Sequence, residues 1–439
     1  MHPFASYVLR SYYAATGWNE DNLYSNLTRS STAILDFIVP RGLNFSISKS
    51  PNALFKTTYS MTALPSLNGS VGYIFTSCDL NLTGSADVRL KDMIDRFRVY
   101  DVPHRPEAKE EIWLAGNRVD RSDYLLYGRL HIPNGRLDAL YSKRISPTLQ
   151  TVIAAISDPV SKRSRPSLTG DKGRPDAGGV NNMMVSLQHD VGKWCSEYTW
   201  SADDGMLGVR VLHNFGKIGP ASELLEDSGD NVRNQKRIDE EEAMEGGLKG
   251  RISAGAEFYF SAKEKSAGVS TGIRFTTLPD ATPPSTHFQS HTPDADSTLV
   301  SGTQPPTTIT AIFNPMMGHI STAYAARVSR SLCLASRFDF NVYSYESEWT
   351  MGAEWWMRRG SKAVEPSSQH QEEFSEVVQH PDTVQGVFKA RVSTNTDISL
   401  MWEGRVRSML VSLGAVSDLT SRSSPIRAIG LELSYFSSE

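Results

Sequence analysis

Hydrophobic and polar residues alternate along most of this chain, and the alternation is clearest in its last third. Residues 317–328, 331–342 and 346–358 each place apolar side chains on one face and polar side chains on the other. Successive strand side chains point to opposite faces, so each segment predicts a strand with one apolar face. A strand of ~9–11 residues tilted by ~45° crosses a bilayer, and these segments have about that length. Lipid outside and water inside suit both faces, so the pattern predicts a transmembrane β-barrel.

The same alternation recurs upstream and downstream, which predicts about twenty strands in all. The other predicted strands are residues 34–39, 43–48, 54–61, 70–76, 124–132, 137–141, 149–156, 183–188, 193–201, 206–214, 252–260, 268–277, 307–313, 384–392, 398–404, 406–413 and 427–436. The first of them ends at Pro40, and Asn68-Gly69 predicts a hairpin turn before the fourth.

The N-terminus does not alternate. Phe4, Val8, Leu9 and Tyr12 recur at helical spacing and predict a short amphipathic α-helix. Its polar face is poor in Lys and Arg, which favours a helix packed on or in the barrel over a membrane-surface anchor. The chain is therefore divided into an N-terminal helical segment, 1–30, and a barrel, 31–439. Segments rich in Pro, Gly, Ser, Thr and charge predict long loops near 84–122, 158–179, 216–250, 278–306 and 359–382.

Composition narrows the class of protein. A chain of 439 residues could form several soluble domains or one large closed sheet. A hydrophobic content of 39% is that of a soluble protein, and it does not exclude a barrel, because only every second strand residue needs to meet lipid. No stretch approaches the ~18 apolar residues of a spanning helix. Because the start lacks a secretory signal, a mitochondrial or plastid outer membrane is expected. The net charge of −4 gives no indication of nucleic acid as a partner.

Candidate chemistry is sparse. The sequence shows no nucleophile motif, phosphate-binding loop or metal-ligand spacing, so no enzyme, cofactor or metal is predicted. Cys78, Cys195 and Cys333 are odd in number and far apart, which predicts free, semi-buried thiols. The polar strand faces carry Arg210, Glu257, Arg337, Asp339, Glu354, Lys389, Arg391, Glu403, Arg405 and Arg407. Such a ring could set ion selectivity, or it could hydrate and cross-link the barrel interior.

A second group of candidate residues consists of aromatic side chains on the apolar strand faces. They include Tyr73 with Phe75, Phe338 with Phe340, and Trp349 with Trp355. Aromatic belts at membrane interfaces account for most such residues in barrels. Aromatics also anchor protein interfaces, so a minority could form docking surfaces within the membrane.

Several long strings resemble one family. They are VLRSYYAATGW (8–18), LDFIVP (35–40), LNGSVGYIF (67–75), YGRLHIPNGRLDALYSKRISPT (127–148), VRVLHNF (209–215), GAEFYF (255–260), NPMMGHISTAYAA (314–326) and RFDFNVYSYESEWTMGAEWW (337–356). Together they closely resemble the mitochondrial distribution and morphology protein 10 family, from the start of the chain through most strands.

The resemblance implies a barrel of nineteen strands like the voltage-dependent anion channel, with the N-terminal helix associated with its interior. It also implies a non-catalytic anchor of the endoplasmic reticulum–mitochondria encounter structure in the mitochondrial outer membrane, at contact sites. There the barrel would hold lipid-transfer and ER-anchored subunits, supporting phospholipid exchange and mitochondrial shape. The family further implies partnership with the sorting and assembly machinery, promoting assembly of outer-membrane barrels and translocase precursors.

The resemblance carries over to particular residues. Tyr73 and Phe75 match the family's tether-facing aromatic positions, and Phe338 and Phe340 match those used toward the assembly machinery. Phe stands at 75 and 338 where Tyr is also seen; the missing hydroxyl removes a possible hydrogen bond but leaves the packing surface.

The last strand resembles the sorting signal of mitochondrial barrels. Gly430, Leu433 and Tyr435 fit that pattern, while Ala428 takes the place of its polar residue. A flexible Gly followed by an outward apolar edge is suited to pairing with an insertase by strand addition.

Two other functions stay open at this stage. A porin-like ion or metabolite channel would use the charged lumen, and bilayer conductance would distinguish it from an anchor. A soluble β-sandwich would bury the apolar faces against each other, and resistance to alkaline extraction from membranes would exclude it.

Overall fold

The structure is a computed structural model. It describes residues 3–80, 82–100, 103–106, 113–114, 117–118, 122–159, 180–216, 250–277, 305–358, 384–395, 397–418 and 425–438.

Nineteen strands form one sheet. They are β1 Gly42–Ser50, β2 Phe55–Leu64, β3 Asn68–Thr76, β4 Tyr124–Ile132, β5 Leu137–Ser146, β6 Leu149–Asp158, β7 Val180–Asp190, β8 Trp194–Ser201, β9 Met206–Asn214, β10 Gly250–Ser261, β11 Ser266–Thr277, β12 Thr307–Asn314, β13 His319–Arg327, β14 Leu332–Asn341, β15 Ser347–Arg358, β16 Val384–Ser393, β17 Asp397–Val406, β18 Met409–Asp418 and β19 Ile426–Ser438. The helices are α1 Pro3–Thr16, α2 Arg29–Leu35 and α3 Leu90–Met93, with 3-10 turns at Glu20–Asn22 and Tyr24–Asn26. Trp113–Leu114 and Asn117–Arg118 make a separate small hairpin.

The sheet closes on itself through its first and last strands. Each strand pairs antiparallel with the next, and β1 pairs parallel with β19 from Gly42 opposite Gly430 to Ser50 opposite Ser438. An odd number of alternating strands makes the first and last run the same way, so closure has to be parallel. The closed barrel of nineteen strands confirms the predicted fold class. Within the described ranges, no helix is long and apolar enough to cross a membrane.

The two rims of the barrel differ in the lengths of their connections. We name the end where β3 stops and β4 starts the loop rim, and the opposite end the turn rim. Because the strands alternate in direction, the strand ends that flank 84–122, 216–250, 278–306 and 359–382 all lie at the loop rim. Only 158–179 among the predicted long loops is flanked by strand ends at the turn rim. Four of these segments lie mostly or wholly outside the described residues: 158–179, 216–250, 278–306 and 359–382.

Aromatic side chains ring the outer surface near both rims. Those near the loop rim are Phe55, Phe75, Tyr124, Trp194 and Trp355, and those near the turn rim are Trp200, Phe260, Phe313, Phe340 and Trp349. Between them the outward positions are mainly Leu, Ile, Val, Met and Ala. Two aromatic girdles flanking an apolar band are the signature of a barrel that spans a bilayer.

The N-terminal segment lies inside the barrel and follows its inner wall. Phe4, Val8 and Tyr12 of α1 are buried against inward side chains such as Ile74 and Leu125. The 3-10 turns then pack Leu23, Tyr24 and Leu27 against Cys195 and Leu212. Helix α2 packs Ile34 and Leu35 against Ala325, Cys333 and Ala335. The helix predicted for residues 4–16 is therefore present, and it packs in the barrel.

A second segment, from the start of the predicted loop 84–122, also enters the lumen. Val88 packs in the α1 cluster, and Leu90 and Ile94 pack against Trp356 and Val387 of the wall. Phe97 packs beside Ile34 and Leu35 of α2. We name residues 3–41 together with 79–80 and 82–100 the plug, because both segments pack inside the barrel. Helices α1 and α2 and residues 88–97 lie toward the loop rim, and residues 36–41 then cross to the turn rim, where β1 begins.

Two sequence predictions were wrong in detail. Residues 34–39 do not form a strand, because Ile34 and Leu35 end helix α2 and both are fully buried in the plug. Asn68-Gly69 is not a hairpin turn, because both residues already pair with Thr62 and Met61 of β2. The turn lies before them, at 65–67, where Pro65 has no N–H for the ladder.

Candidate functional site

The pair Tyr73 and Phe75 belongs to an aromatic patch on the outer surface near the loop rim. Tyr73 is 51% exposed and stacks on Phe55 with ring centroids 5.9 Å apart. Phe75 packs against Tyr124 at 5.9 Å, and Tyr124 in turn lies 6.4 Å from Tyr141. Sequence analysis missed Phe55, Tyr124 and Tyr141, whose contribution follows only from which strands pair. The pair points outward as predicted, and its interface role stays a prediction.

Phe338 and Phe340 form a second outward patch. Their rings lie 6.4 Å apart and almost parallel, with an interplanar angle of 8°. Trp349 stands opposite Phe338 on β15, and its indole N–H donates to the Ser336 hydroxyl at 2.7 Å. That hydrogen bond fixes the indole plane beside the stacked rings. This pair also points outward, and its role toward a partner stays a prediction.

The two patches are far apart on the barrel. β3 and β14 are separated by eight strand steps around the nineteen-strand sheet by the shorter way. Eight steps correspond to about 150° of the circumference, so the patches face nearly opposite directions in the membrane plane. Tyr73 and Phe75 lie near the end of β3 at the loop rim, whereas Phe338 and Phe340 lie near the end of β14 at the turn rim. Two partners of moderate size could occupy them without contacting each other.

The C-terminal strand lies at the barrel seam. Leu433 and Tyr435 pair with Phe45 and Ile47 of β1 and point outward with them. Gly430 points inward instead, and a Cβ built on it would lie 2.1 Å from the Pro40 carbonyl oxygen. The predicted sorting-signal glycine therefore also has a packing role, because the chain between α2 and β1 crosses directly over it. The function of these residues as a sorting signal stays a prediction.

Most of the predicted lumen charges are paired. Arg210 donates to Glu257 at 2.7 Å and lies 3.5 Å from Glu197. Arg337 binds Asp339 at 3.0 Å and Asp36 at the end of α2 at 2.6 Å. These contacts favour cross-linking of the interior over a free selectivity ring. Arg407 was placed wrongly, because it lies in the turn between β17 and β18 at φ +56° and does not point from a strand into the lumen.

Cations of the wall bind backbone carbonyl groups of the plug. Lys389 donates to the Ala33 carbonyl at 2.9 Å and Arg391 to the Leu35 carbonyl at 3.0 Å. Both acceptors lie in the last turn of α2, where carbonyl groups lack partners within the helix and a positive charge is favourable. Arg405 likewise donates to the Val88 carbonyl. Lumen cations thus act as caps and tethers for the plug.

Small residues of the wall make room for the plug, and sequence analysis missed them. A Cβ on Gly352 would lie 2.8 Å from Leu35 Cδ2, and one on Gly255 would lie 2.6 Å from Tyr24 Cδ2. Gly272 similarly faces Leu27 at 3.1 Å. The sequence feature that could have identified them is glycine at inward strand positions, since glycine inside a strand often marks the close approach of another group.

The closed odd-stranded barrel, its aromatic girdles and its filled lumen define a mitochondrial-type membrane β-barrel. Comparison with known proteins agrees: the family model described as Mitochondrial distribution and morphology protein 10 matches residues 1–385 and 361–438. Relatives of that name are 69% identical in Postia placenta, 67% in Laccaria bicolor and 40% in Cryptococcus neoformans, the first two over all and the third over 99% of both chains. The chain belongs to the Mitochondrial distribution and morphology protein 10 family, which confirms the resemblance. It is a mitochondrial membrane protein of a family named for organelle distribution and shape.

Proposed function

We propose that this barrel is a non-catalytic adaptor of the mitochondrial outer membrane with two lateral docking surfaces. The observation that carries the proposal is the placement of the two outward aromatic patches on opposite sides and opposite rims. Preorganised aromatic clusters at a protein surface are typical anchors of interfaces. Stacking of Phe338 on Phe340 and of Tyr73 on Phe55 keeps both clusters in one arrangement before any partner arrives.

One surface, around Tyr73 and Phe75, binds the endoplasmic reticulum–mitochondria encounter structure, whose lipid-transfer and ER-anchored subunits support phospholipid exchange at contact sites. The other, around Phe338 and Phe340, binds the sorting and assembly machinery and promotes assembly of barrel proteins and translocase precursors. Family membership supports both assignments, because the strings that carry the resemblance include these four residues. An anchor of this kind explains why a defect would change mitochondrial distribution and shape.

The channel alternative has less support from the structure. The plug packs inside the lumen, and Lys389, Arg391 and Arg405 are engaged with its carbonyl groups. Charges that are bound in this way are poorly placed to select permeating ions.

Co-isolation from mitochondria tests the proposal. Tagged protein is purified in mild detergent, and partners are quantified by mass spectrometry for Tyr73→Ala/Phe75→Ala and for Phe338→Ala/Phe340→Ala. We expect each double variant to lose at least about tenfold of one partner set and to keep the other, because truncating an aromatic hot-spot residue costs about 2 kcal/mol or more.

Phe258→Ala/Phe260→Ala is the matched control. These residues are also an outward i, i+2 pair, they lie on β10 toward the turn rim, and they are as exposed as Phe338. The control should retain both partner sets. Equal loss of both sets in every variant would show a general defect of the barrel and would contradict the assignment of separate surfaces.

A further inference from the structure

Two of the attachments between the plug and the wall lie on different sides of the lumen and differ in chemistry. On one side, Asn22 of the 3-10 turn donates to Asp190 at 2.7 Å and accepts from Asn214 at 2.6 Å. Tyr24 shares a hydrogen bond of 3.0 Å with Ser270. Together with Leu23 and Leu27, the Tyr24 ring covers the thiol of Cys195. Hydrogen bonds from side chains of the plug itself hold this half.

On the other side, one buried ion pair joins three parts of the molecule. Lys389 of β16 and Glu354 of β15 lie 3.8 Å apart, and each side chain is 1% exposed. Lys389 donates to the carbonyl groups of Ala33 in α2 and Asp95 in the second plug segment. Glu354 accepts from the backbone N–H of Phe97 at 3.3 Å.

The Trp356 indole N–H donates to the other oxygen of Glu354 at 2.6 Å, so the carboxylate has a partner on the wall as well as on the plug. Lys389 and Glu354 together therefore connect the wall to α2 and to residues 95–97. The apolar contacts under this group cover Cys333, which packs with Ile34, Leu35 and Phe97.

We propose that the Glu354–Lys389 pair is a releasable attachment that holds α2 and residues 95–97 against β13–β16, independently of the half of the plug held at Asn22 and Tyr24. Loss of the pair loosens α2 and residues 95–97 together, because the same ammonium group binds a carbonyl of each, while Arg391 and Arg337 still hold the C-terminal end of α2. The inner wall beside β13–β16 then becomes accessible from the lumen while the barrel stays closed. The plug is thus divided into a fixed half and a half that can open.

The chain's own thiols report on the two halves. In the full-length protein in detergent micelles, Lys389→Met is treated with N-ethylmaleimide, and the labelling rates of Cys333 and Cys195 are measured on separate peptides by mass spectrometry. We expect the Cys333 rate to rise by roughly a hundredfold and the Cys195 rate to stay unchanged, since removing one partner of a buried pair is strongly destabilising where the other remains charged. Lys263→Met, a change of an exposed turn lysine, should alter neither rate.

A second variant separates the tether from simple charge compensation. Lys389→Met/Glu354→Met removes both charges of the pair, so neither is left buried with its partner missing, and folding is disturbed less than in the single variant. It still lacks the hydrogen bonds to Ala33, Asp95 and Phe97, so Cys333 should stay reactive. Restored protection of Cys333 in the double variant would overturn the proposal, as would an equal rise at Cys333 and Cys195 in the single variant or no rise at either.

Discussion

At the residue scale, Gly430 belongs to the predicted sorting signal and is also required for packing against the backbone of Pro40. The sequence pattern singled it out for flexibility and position in the last strand. The structure adds that the backbone of Pro40 and Arg41 passes within contact of the place a Cβ would take. No sequence pattern could have shown that contact, because residues 40 and 430 are joined only when β1 pairs with β19 and closes the barrel.

Gly430→Ala should therefore destabilise the folded barrel by itself, by about 1–3 kcal/mol, because it forces a methyl group into the backbone at Pro40. Denaturant unfolding of purified protein refolded in detergent measures this without any insertase. Gly128→Ala is the matched control, since nothing lies within 4 Å of a Cβ at that position. Normal stability of Gly430→Ala in detergent, with failed insertion in mitochondria, would assign the residue to the signal alone.

At the element scale, alternation predicted the strands well and the plug poorly. β14 and β15 each separate a lipid face from a lumen face, so their period of two is plain and their outward residues were identified correctly. Residues 34–39 are rich in β-branched and aromatic side chains and end at Pro40, which resembles a strand. Ile34 and Leu35 are both buried, however, because α2 packs between the wall and Phe97 of the second plug segment. Two adjacent buried residues leave no alternation from which a helix inside a barrel could be distinguished.

The fit of α2 to the wall leads to a second prediction. Gly352 faces Leu35 and Ile34 at 2.8 and 3.1 Å from a built Cβ, so Gly352→Leu should displace α2 while the strand ladder persists. We expect hydrogen exchange of the α2 amides to accelerate by at least about tenfold, because displaced helices open more often than packed ones. Ala353→Leu, on the lipid-facing side of the same strand, should leave that exchange unchanged. Unaltered exchange in Gly352→Leu would mean that the wall yields and the helix stays.

At the scale of the whole molecule, the plug and the long loops share one rim. Four of the five long connections are flanked by strand ends at the loop rim, and α1, α2 and residues 88–97 pack inside the lumen toward that side. Access through the barrel is therefore obstructed from the loop rim. Reconstituted into planar bilayers, the protein should show far smaller conductance than an open barrel of the same strand number. Stable, ion-selective conductance of open-porin size would contradict this expectation and restore the channel as the leading function.

The separation of the aromatic patches bears on how one barrel serves two assemblies. Groups far apart that share no partner contribute independently, within about 0.5 kcal/mol. The four-residue variant Tyr73→Ala/Phe75→Ala/Phe338→Ala/Phe340→Ala should therefore lose each partner set to the same extent as the corresponding double variant, when co-isolation is quantified side by side.

If binding at one patch instead altered binding at the other, each double variant would enrich the partner set that it retains. Because the patches lie eight strands apart, such enrichment would have to arise from competition between partners for a limited pool of barrels or from coupling through the plug. Repeating the measurement in Lys389→Met would separate these causes, since only coupling through the plug depends on that residue.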